Sequence, residues 1–220
     1  MAEELDVIFT GYSRNDPMEV AKEMKSELNK KGHRVAIVDS FETERDSPVF
    51  RKTLLTWSSS KNMISTANKV LVRAGLMGKK VGTMYCYSYG AIPGMFQNTV
   101  FANRYVFLAP ALGKGTIKWS FKENVFSFLP GLREMNDEVF QEKIFERLSF
   151  LQENGKDLCF FFPQNVQTNL YEDERVWYPL SMLREHENIF SQKYFVPVNL
   201  HRDMIKNPEI VKRILENLGI

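Results

Sequence analysis

The chain has 220 residues, of which 44 % are hydrophobic and 25 % charged, so it suits one globular domain with a substantial core and not a disordered or fibrous protein. Its 29 basic and 27 acidic side chains leave a net charge of +2, which indicates neither a nucleic-acid partner nor an acidic membrane surface. The first residues are acidic where a secretory signal is basic, and no apolar run reaches the roughly 18 residues of a membrane span. We therefore expect a cytoplasmic protein without stable membrane insertion.

The first 38 residues predict a strand–helix–strand unit. A β-type run at 5–10 ends in Gly11, and Asp16-Pro17 is typical of a helix N-cap followed by proline in the first turn. Gly32 ends the helix and a second strand follows at 34–38. Two strands joined through a helix form a parallel crossover.

The same alternation continues to the end of the chain. Apolar runs predict strands at 80–87, 105–108, 157–162 and 194–200, and helical patterns lie at 57–74, 91–100 and 207–218. Continuous apolar strands separated by helices predict a mostly parallel sheet covered on both faces, an α/β fold of three layers (α/β/α) over residues 1–220.

Residues 111–155 interrupt this alternation with a mostly helical insertion that is rich in aromatic side chains, among them Trp119 and Phe121. These side chains either line an apolar substrate site or pack the insertion onto the domain, and the composition favours neither. The two cysteines, Cys86 and Cys159, lie inside apolar runs, so we expect buried core residues and no metal site.

The strongest functional signal is Ser88, which follows a buried strand and precedes a helix. This is the setting of a nucleophile elbow, in which a tight turn exposes the serine hydroxyl above the sheet. The pattern requires small residues two positions before and after the serine. Gly90 satisfies it, whereas Cys86 stands in place of the first glycine. Taken alone, the motif is equally consistent with an ordinary strand–helix turn.

The general base follows by elimination among three histidines. His33 precedes a strand, at the edge opposite to the one where parallel sheets bind ligands, and His186 lies in a charged run typical of an exposed helix. His201 directly follows the last strand, which predicts that it meets Ser88. The acid would come from Glu172, Asp173 or Glu174, although such a cluster is also typical of a solvated loop.

Two backbone N–H groups are candidates for stabilising an oxyanion. One belongs to Tyr89, next to the nucleophile, and the other to Tyr12, in the turn that Gly11 begins after the first strand. The alternative is that Gly11 only serves the turn.

With these features, the sequence resembles the α/β-hydrolase superfamily over nearly its whole length. The resemblance rests on the Gly11-Tyr12 turn, the Ser88 elbow, the strand ending in Ala109-Pro110 and the His201 loop, in the family's order of serine, acid and histidine. It implies a reduced sheet without the first antiparallel hairpin, a helical lid at about 111–155, and Asp173 as the acid.

The resemblance further implies hydrolysis of an ester or thioester through an acyl-enzyme, with a small-molecule or acylated substrate and no metal or organic cofactor. Gly11, Tyr87, Trp119 and Phe121 would then contact the substrate. Three alternatives remain at this point: an acyltransferase, a peptidase, and a non-catalytic binding protein on the same fold.

Overall fold

The computed structural model describes residues 4–11, 17–39, 68, 71–72, 74–97, 102–110, 112, 137–165, 180–198 and 202–220. Within them, six strands form one parallel sheet: β1 (Leu5–Thr10), β2 (Arg34–Asp39), β3 (Val81–Tyr87), β4 (Ala102–Leu108), β5 (Asp157–Asn165) and β6 (Gln192–Val198). Their spatial order is β2-β1-β3-β4-β5-β6, and every neighbouring pair is parallel.

Helices cover both faces of this sheet. The labelled helices are α1 (Pro17–Lys30), α2 (Ala91–Phe96), α3 (Asp137–Glu153), α4 (Leu180–Glu185), α5 (Asp203–Lys206) and α6 (Pro208–Asn217). Apolar side chains of α1, α5 and α6 pack on one face, and those of α2, α3 and α4 pack on the other. The prediction of a three-layer α/β/α domain with a parallel sheet is confirmed.

A two-sided core explains why the strands have almost no polar alternation. All seven residues of β3 are buried, with Met84 and Cys86 facing α2 while Tyr85 and Tyr87 face the α1 side. A strand that is covered on both faces must be apolar at consecutive positions. The central strand that carries the candidate nucleophile is therefore held rigidly from both sides.

Several predicted boundaries differ from the observed ones. Strand β4 begins three residues before the predicted start at 105, and α2 ends at Phe96 instead of 100 because Gln97 leaves the helical region with φ −63° and ψ 149°. Asn68, Leu71 and Val72 are helical, in agreement with the helix predicted at 57–74.

The carboxyl-terminal part of the predicted insertion at 111–155 is helix α3. Its Ile144, Leu148 and Leu151 are fully buried in the core on one face of the sheet. Of residues 111–136 the structure describes Leu112, which is buried, and a lid at about 111–155 stays a prediction.

Charged side chains are paired along the edge where the strands begin. The carboxylate of Asp6, which is 4 % exposed, accepts hydrogen bonds from the Thr83 N–H at 3.0 Å and contacts His33 Nδ1 at 2.9 Å. Arg104 Nε donates to Asp157 Oδ2 at 2.7 Å, and its Nη1 donates to the Leu218 carbonyl at 3.2 Å. These bonds tie β1, β3, β4, β5 and the end of α6 together.

No helix in the described ranges is apolar enough over a sufficient length to cross a bilayer.

Candidate active site

The strand order places a topological switch point between β1 and β3. The chain leaves β1 toward α1 on one face, and it leaves β3 toward α2 on the opposite face. Loops that diverge in this way open a crevice at the carboxyl edge of a parallel sheet, where ligands bind in open α/β folds. Gly11 and Ser88 are the first residues after these two strands, so both lie at the mouth of the crevice.

Ser88 has the backbone conformation of a sharp turn. Its φ is +54°, in the left-handed region that non-glycine residues rarely adopt, and it begins a single 3-10 turn that runs directly into α2. Such strain costs of the order of 1 kcal/mol or more and is concentrated at functional sites. Among the described non-glycine residues, only Ser88 and Ala109 have positive φ, and both lie at the carboxyl edge of adjacent strands.

Gly11, the first residue after β1, packs against the Ser88 side chain. A Cβ added to Gly11 would lie 2.6 Å from the Ser88 Cβ and 3.1 Å from its Oγ, so only glycine fits there. The backbone of Gly11 is therefore next to the hydroxyl of Ser88. The predicted second oxyanion donor, the N–H of Tyr12, belongs to the following residue, which lies outside the described residues.

The second small residue of the elbow is required by the same kind of close approach. A Cβ on Gly90 would overlap the carbonyl oxygen of Phe9 and lie 2.8 Å from that of Thr10, so the turn sits directly on the backbone of β1. Tyr89, between Ser88 and Gly90, contributes its backbone to this turn. The first N–H groups of a helix have no helical partner, which suits the expected role of the Tyr89 N–H.

The cysteine in place of the first glycine is accommodated by the helix. Cys86 points toward α2, and a Cβ on Gly94 would overlap its Sγ, so the space that Cys86 takes is provided by the missing side chain of Gly94. Gly94 is not among the predicted site residues. The signal that could have indicated it is Cys86 itself, because a larger residue at the first small position of the elbow needs space from the helix that packs on it.

The far end of α2 is anchored by Arg147, which is not among the predicted site residues. Arg147 of α3 donates from Nε to the Met95 carbonyl at 2.6 Å and from Nη2 to the Gln97 carbonyl at 2.7 Å. Burial lowers the pKa of this guanidinium from its ordinary value. The two bonds satisfy carbonyls that a helix leaves without partners at its carboxyl end, and they fix the helix that follows Ser88.

Two of the three histidines have structural partners remote from Ser88. His33 contacts the buried Asp6 at the amino edge of the sheet. His186 is not an exposed helical residue as expected, because it follows α4 and stacks on Phe145 with ring centroids 3.8 Å apart. His33 and His186 therefore have other partners, and His201 as the general base stays a prediction.

His201 lies outside the described residues, but the chain directly after it acts on the side chain of Tyr87, the residue before Ser88. Burial raises the pKa of the Tyr87 hydroxyl, Asp203 raises it further, and Arg202 lowers it. Tyr87, the residue before Ser88, thus lies within electrostatic reach of the two residues that follow His201.

The remaining predicted site residues also lie outside the described residues: Tyr12, Trp119, Phe121, Asp173 and its alternatives Glu172 and Glu174. Both cysteines are buried and unbridged, as expected, and burial raises the pKa of the Cys86 thiol. In the described part of the chain, His, Cys, Asp and Glu side chains form no group of three that could hold a metal ion.

Comparison with solved structures gives the fold. A carboxylesterase structure from the thaumarchaeon Nitrososphaera gargenis is similar at a TM-score of 0.57 and 10 % identity, covering 99 % of this chain and 90 % of that one. A hydrolase from Oleispira antarctica is similar at 0.55 and 12 % identity over 99 % and 91 % of the two chains.

A lipase-esterase related protein from Clostridium acetobutylicum is similar at 0.54 and 11 % identity over 98 % and 95 %. No family model and no curated protein sequence matches. The parallel sheet, the strained serine after β3 and these similarities agree that the chain has the fold of the α/β-hydrolase superfamily.

Proposed function

We propose that the chain is a serine hydrolase that cleaves an ester or thioester of a small-molecule or acylated substrate, with Ser88 as nucleophile, His201 as general base and Asp173 as the acid that orients it. The observation that carries the proposal is Ser88 itself. It is a strained, left-handed serine at the switch point, and its side chain packs against the backbone of Gly11. An ordinary strand–helix turn requires neither the strain nor the contact.

The similar structures support the chemistry at a coarser level. They comprise a hydrolase, a structure from work on carboxylesterases and a lipase-esterase related protein. Because identities of 10–12 % establish a shared fold and not a shared reaction, the assignment to this chain depends on the site.

The proposed reaction has two halves. Ser88 Oγ attacks the carbonyl carbon while His201 takes its proton, and the resulting oxyanion is held by the N–H groups of Tyr89 and Tyr12. The tetrahedral intermediate collapses, His201 protonates the leaving alcohol or thiol, and an acyl ester of Ser88 remains. Water, deprotonated by His201, then attacks this ester and releases the acid and the free serine.

Ser88 has little contact with solvent, at 6 % exposure. A nucleophile held away from bulk water is surrounded by a lower dielectric, in which preorganised N–H donors stabilise a developing oxyanion more strongly. In this proposal Gly11 and Tyr87, together with Trp119 and Phe121 of the predicted lid, contact the substrate.

The test is labelling with a fluorophosphonate, which forms a covalent bond with activated serines. We expect wild type to be labelled and to hydrolyse short p-nitrophenyl esters or acyl thioesters, and we expect S88A and H201A to lose both activities. S149A is the matched control, since Ser149 lies on α3 and it should label like wild type. D173N, E172Q and E174Q, measured side by side, identify the acid as the one whose loss lowers the rate most.

Labelling that persists in S88A would assign the activity to another residue. A folded wild type that is neither labelled nor active on the panel would overturn the proposal in favour of a non-catalytic binding protein. Acyl transfer to an added alcohol or thiol that exceeds hydrolysis would identify an acyltransferase.

A further inference from the structure

Cys86 and Gly94 meet at the interface between β3 and the helix that follows Ser88. Cys86 is fully buried and faces α2, and the Cβ that any other residue would place at position 94 falls on its Sγ at far less than a real contact distance. The next atoms near that Cβ are the Cβ of Cys86 itself, at 3.5 Å, and Cδ2 of Phe9, at 3.7 Å, both at ordinary contact distances. The Cys86 side chain therefore limits how closely α2 approaches the strand at this point.

We infer that Cys86 and Gly94 act as a pair that positions the nucleophile. In this pair the small residue that the elbow requires lies on the helix, at Gly94, and not on the strand, at Cys86. The pair determines the distance at which α2 packs on β3. It thereby positions Ser88 and the N–H of Tyr89, which lie in the turn that connects β3 to α2. This inference rests on the proposed function, because it assigns the pair a part in the reactivity of Ser88.

The connection between the pair and the reactive atoms is short. Cys86 is two residues before Ser88 on a fully buried strand, and α2 begins three residues after Ser88 at Ala91. The Ser88–Gly90 turn packs on the backbone of β1 through Gly90 and continues into α2 without an intervening residue. A displacement of α2 at position 94 therefore acts directly on the turn that carries Ser88.

Cys86 acts in this pair through the volume of its side chain, which fills the space next to Gly94, and not through the reactivity of its thiol. Its Sγ has the Met84 carbonyl as a weak acceptor at 3.8 Å, and burial keeps the thiol protonated by raising its pKa. It is thus neither a nucleophile nor a metal ligand in this arrangement.

The test is a double-mutant cycle of C86G, G94A and the combination of both. In wild type, G94A forces a methyl group onto the thiol, so we expect a lower Tm by about 5 °C and labelling that is about tenfold slower or worse. In C86G the methyl group enters vacated space, and alanine is preferred to glycine in a helix. There G94A should raise the Tm and restore labelling toward the wild-type rate.

We expect G94A to lower the Tm and the labelling rate in wild type and to raise both in C86G. Equal effects of G94A in wild type and in C86G would overturn the inference. If G94A does not fold alone, the comparison of C86G/G94A with C86G still decides: a lower Tm on adding the methyl group refutes the inference. C159A is the matched control for losing a buried thiol, since Cys159 lies on β5, and it should label within about twofold of wild type.

The two proposals fail in different ways. If wild type is not labelled, the proposed function falls, and the thermal cycle alone then shows whether the packing pair exists. If wild type is labelled and C86G/G94A regains its Tm but not its labelling rate, the pair is only structural and its positioning role is refuted.

Discussion

Replacement of Gly11 by alanine should slow the reaction of Ser88 strongly while the chain remains folded. No left-handed φ is involved at Gly11, so the effect of G11A is a steric contact and not a backbone conformation. The added Cβ would lie 2.6 Å from the Cβ of Ser88, and it must separate by about 0.8 Å to reach the 3.4 Å at which ordinary contact begins. The shift falls on the nucleophile and on the loop that would supply the Tyr12 N–H.

The magnitude follows from that distance. A displacement of about 1 Å from the reactive geometry can cost on the order of 10²-fold in rate, which corresponds to roughly 2.7 kcal/mol of transition-state stabilisation. Overpacking of this size costs about 1–3 kcal/mol of folding free energy. We therefore expect G11A to remain folded and to react with a fluorophosphonate about 10²-fold more slowly than wild type.

The assay compares labelling rates and thermal unfolding by circular dichroism in parallel. G155A provides the matched control, since Gly155 lies in the turn before β5 with φ +70° and open space around it. Alanine there should cost roughly 1–2 kcal/mol of stability through its left-handed backbone and leave labelling unchanged. A folded G11A that labels at the wild-type rate would refute the reasoning.

Two further predictions concern the residues around the site. R147A should lower the free energy of unfolding by about 2 kcal/mol in urea denaturation, because two carbonyls at the end of α2 lose their charged donor; R147K, with one point charge, should recover part of the loss. Burial raises the pKa of the Asp6 carboxyl despite the opposing effect of His33, so its contribution to stability is present in acid and is lost as the pH rises from about 4 through that raised pKa. The stability of wild type relative to D6N should therefore fall with increasing pH over that window, and a difference that rises or stays flat would contradict the assignment.

The predictable part of this fold is what consecutive residues encode. Apolar runs without alternation predict buried parallel strands, and the Asp16-Pro17 start and Gly32 stop bracket a helix that the structure places at Pro17–Lys30. The residue types at Ser88 and Gly90 predict a turn that needs a small residue, and Gly90 indeed packs on the backbone of β1.

The rest depends on which strands become neighbours, which no local pattern specifies. The contact between Gly11 and Ser88 exists because β3 lies beside β1 in the sheet. The alternation of strands and helices along the sequence does not specify this strand order. The early start of β4 has the same origin, since Arg104 extends the strand while paired with Asp157 on β5. Ile144, Leu148 and Leu151 of α3 have the spacing of one helix face, and the sequence predicts a mostly helical segment there. That this face is buried in the core depends on contacts with distant residues, which the local pattern does not specify.

The charge pairs at the amino edge of the sheet and the candidate site at its carboxyl edge make substitutions at the two edges affect different properties of the protein. Asp6, His33, Arg104 and Asp157 lock the beginnings of the strands, whereas Ser88 and Gly11 lie at their ends. A strand of six or seven residues is about 20 Å long, so substitutions at one edge are too distant to couple directly to the other. Variation at the amino edge can thus change the robustness of the fold while leaving the reaction untouched, and variation at the carboxyl edge can alter substrate choice on a platform whose integrity is secured elsewhere.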